Sequence, residues 1–139
     1  MRAAFVIDCS IAMTWCFPDE ATDQSAAILD RLESETALVP TLWFLEVASV
    51  LAMAERRKRI TAAESTEFLA LITSLDLEVD DEATRRVFDH LLPLCRRHRL
   101  TSYDAAYLDL AGRRKLPLAT LDAALRAGGK AMGIRLLGK

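Results

Sequence analysis

The sequence contains few of the residues that define several common classes of small protein. Only three of its 139 residues are cysteine, none of them in a CxxC pair, and the two histidines complete no zinc pattern. A disulfide-stapled secreted domain and a zinc finger are therefore excluded, and reduced thiols are expected. No apolar stretch approaches the length of a membrane span, and the N-terminal apolar run is too short for a signal peptide. We therefore expect a cytoplasmic protein without a membrane partner.

Glycine is also scarce, and the glycine-rich motifs of several enzyme classes are missing. The five glycines form neither GxxxxGK[ST] nor GxGxxG, and no GxSxG elbow is present. Asp8 stands alone after the first apolar run, whereas aspartyl-phosphatase and receiver-type sites need a second acid there. The formal net charge of -2 gives no bulk attraction to nucleic acid. Any contact with nucleic acid must therefore be local or bridged by a metal ion.

The bulk composition is that of an ordinary globular protein. Hydrophobic residues make up 52% of the chain and charged residues 27%. The length suits one domain with a sizeable core. No linker, low-complexity run or internal repeat divides the sequence, so we expect residues 1–139 to form a single domain.

Short apolar or alternating segments recur between longer segments with helical periodicity. Strands are predicted at residues 3–7, 37–39, 75–79, 116–120 and 133–137. Helices are predicted at residues 10–17, 20–32, 41–58, 61–74, 82–97, 103–114 and 122–127. Ser10, Thr61 and Ser102 are the expected N-caps, and Gly128-Gly129 is expected to end the last helix. The alternation predicts an α/β fold, with a parallel five-stranded sheet covered by helices on both faces in three layers.

Four acidic residues lie where a strand or turn is followed by a helix. Asp8 and Asp122 close apolar runs, whereas Glu46 and Asp104 lie near the start of helical segments. In an open α/β sheet, ligands bind outside the carboxyl ends of the strands, so we expect the four carboxylates to meet there. Because neighbouring carboxylates repel each other, such a site usually needs a hard divalent cation bound through oxygen. The pattern therefore indicates metal-assisted phosphoryl chemistry.

Helix capping, or a favourable charge at a helix N-terminus, is the simpler interpretation of three of these acids. Glu46 is the exception, because it lies beside an apolar stripe with no Lys or Arg within a helical turn. A half-buried carboxylate needs a partner, and we predict that a metal ion fills this role. Three other acids are expected to lie outside the site, two as helix caps and one on another helix face: Asp80, Asp81 and Asp109.

Two further groups of residues allow two interpretations each. Four aromatic residues near the first two acids belong either to the core or to a groove for an apolar peptide: Trp15, Phe17, Trp43 and Phe44. Three arginines before the Asp104 helix either stabilise a helix end or contact phosphates: Arg96, Arg97 and Arg99.

Four segments carry a combined pattern: VIDCSIAMTWCFPDE, LVPTLWFLEVASVL, LTSYDAAYLDLA and PLATLDAAL. In this order and at this length they resemble the PIN domain family, in particular the ribonuclease toxins of VapBC toxin–antitoxin pairs. The resemblance covers nearly the whole chain and implies a PIN-like three-layer α/β fold. It places the family's acidic site on Asp8, Glu46, Asp104 and Asp122. It also implies supporting polar roles for Ser10 and Thr120.

The resemblance further implies an endoribonuclease that depends on Mg²⁺ or Mn²⁺ and uses a metal-activated water. It implies a homodimer and a cognate VapB-type antitoxin, whose C-terminal segment binds an apolar groove. Two alternatives stay open, namely an inactive PIN-like binding module and a metal-dependent phosphatase or nucleotide hydrolase. Internal cleavage of RNA would separate the ribonuclease from both.

Overall fold

Five parallel strands form the centre of the fold. The computed structural model describes residues 2–139. Its strands are β1 (Ala3–Ile7), β2 (Thr36–Pro40), β3 (Leu77–Asp80), β4 (Leu118–Ala119) and β5 (Leu136–Leu137). They lie in the order β3-β2-β1-β4-β5, and each neighbouring pair is parallel. The predicted five-stranded parallel sheet is confirmed.

Helices cover both faces of this sheet and complete the three-layer α/β architecture. They are α1 (Cys9–Thr14), α2 (Asp23–Arg31), α3 (Leu42–Arg56), α4 (Ala62–Ser74), α5 (Ala83–Arg86), α6 (Leu92–His98), α7 (Ser102–Arg114) and α8 (Ala123–Ala131). A 3₁₀ turn at Pro18–Glu20 precedes α2, and a π-helical segment at Val87–Leu91 joins α5 to α6. Within residues 2–139, no helix is both long and apolar enough to cross a bilayer.

The position of β1 explains where a ligand crevice opens. Phe5, Val6 and Ile7 are fully buried, as expected for the central strand of a sheet with helices on both faces. From β1 the chain passes to β2 and β3 on one side, and it later returns to β4 and β5 on the other. Such a reversal of strand order leaves a crevice at the carboxyl ends of the strands, here between β1 and β4.

The helix predicted at residues 82–97 is interrupted. α5 ends at Arg86, and the π-helical segment follows before α6 begins at Leu92. Pro93 supplies the physical reason, because it has no backbone N–H and its ring collides with the carbonyl four residues earlier in a regular α-helix. Because the π-helical segment ends at Leu91, Pro93 lies in the first turn of α6, where a missing backbone N–H costs no intrahelical hydrogen bond.

The prediction that Gly128-Gly129 ends the last helix is wrong. Both glycines are buried inside α8, which continues to Ala131. A Cβ atom at Gly128 would lie 2.7 Å from Leu108, and one at Gly129 would lie 2.8 Å from Leu136. The glycines therefore allow α8 to pack closely on α7 and β5. The residues next to them in the sequence do not reveal this packing role.

Two of the three predicted N-caps are also wrong, by one or two residues. The caps of α1 and α7 are Asp8 and Thr101, not Ser10 and Ser102. The capping box at Thr61 is confirmed, because its side chain and that of Glu64 bond each other's backbone.

We expect Gly138→Ala to destabilise the protein by about 1–3 kcal/mol, measured by urea denaturation. Gly138 has a φ of +101°, and an added Cβ would lie 2.8 Å from Cδ1 of Ile11 and 3.3 Å from the backbone oxygen of Thr120. Gly133→Ala is the control, because its φ is +72° with no atom within 4 Å of the added Cβ. The free energy of unfolding of that variant should fall by only about 1 kcal/mol, from backbone strain alone. Equal losses in the two variants would contradict crowding at Gly138.

Candidate active site

A pocket of about 730 Å³ lies beside the ends of β1 and β4. All four predicted site acids line it, and so does a fifth, Glu20. Its other lining residues are apolar, phenolic or small and polar: Cys9, Ser10, Met13, Leu42, Leu45, Ser49, Val50, Tyr103 and Tyr107. Within residues 2–139, the lining therefore contains no Lys, Arg or His. The pocket is acidic and has no cationic side chain in its wall.

Asp8 is held in place at the end of β1 by three hydrogen bonds. Its Oδ1 accepts from the Ser10 hydroxyl at 2.7 Å and from the Ile11 backbone N–H at 3.2 Å. Its Oδ2 accepts from the Thr120 hydroxyl at 2.5 Å. The Leu121 N–H donates to Ser10 Oγ at 2.9 Å, which ties the end of β1 to the segment after β4. Asp8 therefore caps α1 and lines the pocket at the same time, so the two interpretations of this residue are compatible.

Burial dominates the electrostatics of Asp8. It raises the pKa of the carboxyl from 3.8 to about 6, although hydrogen bonds from Thr120, Ser10 and Ile11 oppose the rise. The nearby carboxylate of Asp122 raises the pKa further. At neutral pH the ionised form is thus destabilised by its surroundings, and a cation in the pocket would relieve this.

Glu46 reaches the pocket from α3 and is bound by a phenol. The Tyr107 hydroxyl donates to Oε1 of Glu46 at 2.5 Å. Burial raises the pKa of Glu46, the Tyr107 hydrogen bond lowers it, and the charges of Asp8 and Asp104 raise it again. The sequence argument considered only partners within α3, so it missed a phenol that lies 61 residues away in the chain.

Asp104 and Asp122 come from the starts of two helices. Asp104 lies half-buried in the first turn of α7, where burial and the charge of Asp122 raise its pKa. Asp122 is the N-cap of α8, and its backbone N–H donates to Thr120 Oγ1 at 3.0 Å. Charges of neighbouring site acids thus raise the pKa of Asp8, Glu46 and Asp104, so acids from four separate segments lie close together.

Asp80 and Asp109 belong to an ion-pair network outside the pocket. Arg113 lies 3.1 Å from a carboxylate oxygen of each, and Arg86 lies 2.7 Å from Asp109. Although burial opposes the change, the arginine hydrogen bonds lower the pKa of both carboxyls. Asp109 thus faces away from the pocket, as predicted. The N-cap of α5 is Glu82 and not Asp80 or Asp81, but Asp80 Oδ1 accepts from the Glu82 backbone N–H at 3.0 Å, so Asp80 still binds the start of the helix.

Two of the pocket residues that were not predicted bind a charged side chain, Glu20 and Tyr107. Glu20 lies at the rim in the 3₁₀ turn and pairs with Arg59 at 2.8 Å. No local pattern reveals such a residue, because its position depends on an ion pair from a distant loop. Tyr107 follows Asp104 by one helical turn, so its place on the same helix face could have been predicted from spacing.

Of the two interpretations of the four aromatic residues, the groove at the acidic pocket is wrong, because none of them lines that pocket. Phe17 and Trp43 are buried in the core, and the Trp15 Nε1–H donates to a backbone oxygen at 2.9 Å. Phe44 is 43% exposed, but it borders a different groove of about 540 Å³ between α3, α4 and β3. Other residues form the apolar rim of the acidic pocket: Met13, Leu42, Leu45 and Val50.

The donor set suits a hard divalent cation. Carboxylate oxygens are the ligands that Mg²⁺ prefers in proteins. Among residues 2–139, no three His, Cys, Asp or Glu side chains are already gathered closely enough to hold a metal ion. The donor chemistry therefore fits a cation, whereas complete coordination requires the carboxylates to move together.

The strand order and the acidic pocket together define an α/β protein with an acidic site at the carboxyl ends of its strands. Residues 5–130 match the model of the PIN domain family. The chain therefore belongs to the PIN domain family, whose members are generally nucleases. The resemblance of the four sequence segments to this family is confirmed.

Solved structures with the same fold include proteins from several prokaryotes. PAE2754 from Pyrobaculum aerophilum is 21% identical with a TM-score of 0.71, covering 96% of this chain and 83% of that one. VapBC2 from Rickettsia felis is 14% identical with a TM-score of 0.65 and 96% coverage of both chains. That structure contains VapBC2 bound to a DNA fragment from its promoter. FitAcB from Neisseria gonorrhoeae is 14% identical with a TM-score of 0.62 and 95% coverage of both chains. A comparison with curated proteins gives no match.

Proposed function

We propose that this protein is a divalent-metal-dependent endoribonuclease and the toxin of a type II toxin–antitoxin pair. The observation that carries the proposal is a pocket lined by five acids and, within residues 2–139, no basic side chain. A phosphodiester is anionic, so this pocket would repel it unless a cation were bound there. Membership of a family of nucleases supports the reaction class. The VapBC2 and FitAcB folds support the toxin role.

The residues that would hold Mg²⁺ or Mn²⁺ are Asp8, Glu46, Asp104 and Asp122. When bound, the cation would polarise a phosphodiester and lower the pKa of a water molecule. The chain itself orients Asp8 before any ligand arrives, since the hydroxyls of Ser10 and Thr120 donate to its carboxylate. No histidine lines the pocket in the described chain, so no histidine general base is part of the proposal.

Cleavage of a structured RNA by the purified protein tests this function. We expect internal cleavage in Mg²⁺ or Mn²⁺ and none in excess chelator. Release of inorganic phosphate from nucleotides, without cleavage of RNA, would identify a phosphatase instead. Cleavage that persists in chelator would contradict the metal requirement, and the absence of any reaction would favour a binding module.

We further propose that an antitoxin inhibits the protein by covering this pocket. Leu45 is 72% exposed and Tyr103 is 64% exposed, and both lie at the rim beside the acids. An apolar segment of the partner would bury this rim, and an Arg from the same segment would form charge-assisted hydrogen bonds with the carboxylates. A homodimer and a cytoplasmic location stay predictions, which light scattering and cell fractionation would test.

Leu45→Glu should weaken antitoxin binding by roughly 30-fold or more, as expected for an apolar hot spot of about 2 kcal/mol. The probe is the cognate antitoxin that the proposal requires, to be sought in the reading frame adjacent to this gene, and binding is measured by isothermal titration calorimetry. Leu45 is exposed, so the substitution should leave the free energy of unfolding nearly unchanged. Leu69→Glu is the control, because Leu69 is 41% exposed in the second groove. A larger loss from Leu69→Glu would place the partner there and contradict the proposal.

A further inference from the structure

Tyr107 is a buried pocket residue whose only described polar contact is with a site acid. It is 1% exposed, and its hydroxyl donates to Oε1 of Glu46 at 2.5 Å. A buried hydroxyl needs a hydrogen-bond partner, so packing alone could account for the contact. The acceptor, however, is the carboxylate of Glu46, which lines the acidic pocket. The hydrogen bond therefore also holds a site acid, and this role can be tested separately from packing.

The contact links two elements that carry different acids. Tyr107 lies one helical turn after Asp104 in α7, so both side chains occupy the same helix face and line the pocket. Glu46 comes from α3, on a long side chain with several rotatable bonds. The Tyr107 hydroxyl therefore fixes the carboxylate of Glu46 relative to the helix that bears Asp104. Since it occupies one lone pair of Oε1, Oε2 stays available to another ligand.

We propose that Tyr107 is a positioning residue that orients Glu46 as a ligand for the divalent cation of this pocket. This inference rests on the proposed metal-dependent function. Asp8 is oriented in the same way by the hydroxyls of Ser10 and Thr120. Hydrogen bonds of this kind restrict the orientation of metal ligands, and their loss typically costs about 10- to 100-fold in metal affinity or activity.

Tyr107→Phe tests the inference, because it removes the hydroxyl and keeps the aromatic ring. Binding of Mn²⁺ to the full chain is measured without RNA, from the electron paramagnetic resonance signal of free Mn²⁺. We expect the Kd to rise about 10-fold. Thr66→Val is the control, since it removes an exposed side-chain hydroxyl on α4 that does not line the pocket. Its Kd should equal that of the wild type, and thermal melts in chelator should show both variants folded.

A double-mutant cycle separates positioning from a general structural role. In a Glu46→Gln background, Tyr107→Phe should not weaken Mn²⁺ binding further, because both changes act through one ligand. Full additivity would overturn the inference, and so would an unchanged Kd in the single Tyr107→Phe variant. Either result would leave the proposed function intact. A wild-type protein that binds no Mn²⁺ would overturn the proposed function together with the inference.

The absorption of Tyr107 itself tests the inference in a protein that keeps this residue, so the result does not depend on whether Tyr107→Phe folds. The chain has two tyrosines, so Tyr103→Phe leaves Tyr107 as the sole tyrosine. Saturation with Mg²⁺ should then change the near-ultraviolet tyrosine absorption, because cation binding to Glu46 alters the hydrogen bond from the phenol. An unchanged tyrosine spectrum at saturation would contradict the inference.

Discussion

Asp104→Asn should cleave RNA on the order of 10³-fold more slowly than the wild type while keeping its fold. A loss of this size corresponds to about 4 kcal/mol of transition-state stabilisation, within the range expected for loss of a catalytic metal ligand. The fold should persist because burial and the charge of Asp122 already disfavour the ionised Asp104. The measurement is the single-turnover rate in saturating Mn²⁺, together with the circular dichroism spectrum.

Asp81→Asn is the matched control for this variant. The chemical change is identical, but Asp81 is exposed and does not line the pocket. Its cleavage rate should equal that of the wild type. A wild-type rate in Asp104→Asn, or an equal loss in Asp81→Asn, would show that the pocket acids are not the reactive site.

Asp8→Asn should stabilise the metal-free protein by about 1–3 kcal/mol at pH 7.5, measured by urea denaturation in chelator. The reason is the pKa of Asp8, which burial raises from 3.8 to about 6. One pKa unit corresponds to about 1.4 kcal/mol, so ionisation of Asp8 in the folded state opposes stability by about 3 kcal/mol. Loss of part of the hydrogen bonding to Thr120 reduces the expected gain.

Because ionisation of Asp8 destabilises the folded protein, the effect of Asp8→Asn on stability should depend on pH. Because the pKa of Asp8 is higher in the folded protein than in the unfolded one, the contribution of Asp8 to stability is fully present below about pH 4. This contribution is lost as the pH rises through about 6. The advantage of Asp8→Asn should therefore shrink as the pH is lowered from about 6 towards 4. Asp30→Asn, at an exposed position of α2, should change stability by less than about 0.5 kcal/mol. A destabilised Asp8→Asn protein at pH 7.5 would contradict this electrostatic interpretation.

The sequence allowed prediction of those features that depend on local pattern. The apolar run before Asp8 indicated a buried strand, and the alternation of strands and helices indicated the parallel sheet. The strand-end rule then placed all four acids at one pocket, because the carboxyl ends of parallel strands share one edge. A raised pKa was expected for at least one of the four acids from the repulsion between converging carboxylates, but burial is the main cause of the raised pKa of Asp8 and the charge of Asp122 adds less.

The features that were missed depend on contacts between distant segments. The hydrogen bond from Tyr107 to Glu46 and the ion pair from Arg59 to Glu20 join residues that are far apart in the chain. Gly128 was predicted to end a helix because glycine has a low helix propensity. The close packing of Leu108 against Gly128, which explains the glycine, cannot be inferred from the local sequence. Spacing along α3 left open whether Trp43 belongs to the core or borders a groove, and Trp43 proved fully buried in the core.

Anomalous diffraction from crystals soaked in Mn²⁺ tests the central claim most directly. If the four acids form a metal site, the strongest Mn²⁺ peak should lie in the pocket, with oxygen atoms of Asp8 and Asp104 at bonding distance of about 2.0–2.3 Å. The same peak should be absent from crystals of Asp104→Asn soaked in parallel. Peaks confined to surface acids outside the pocket, or an empty pocket at saturating Mn²⁺, would contradict the account.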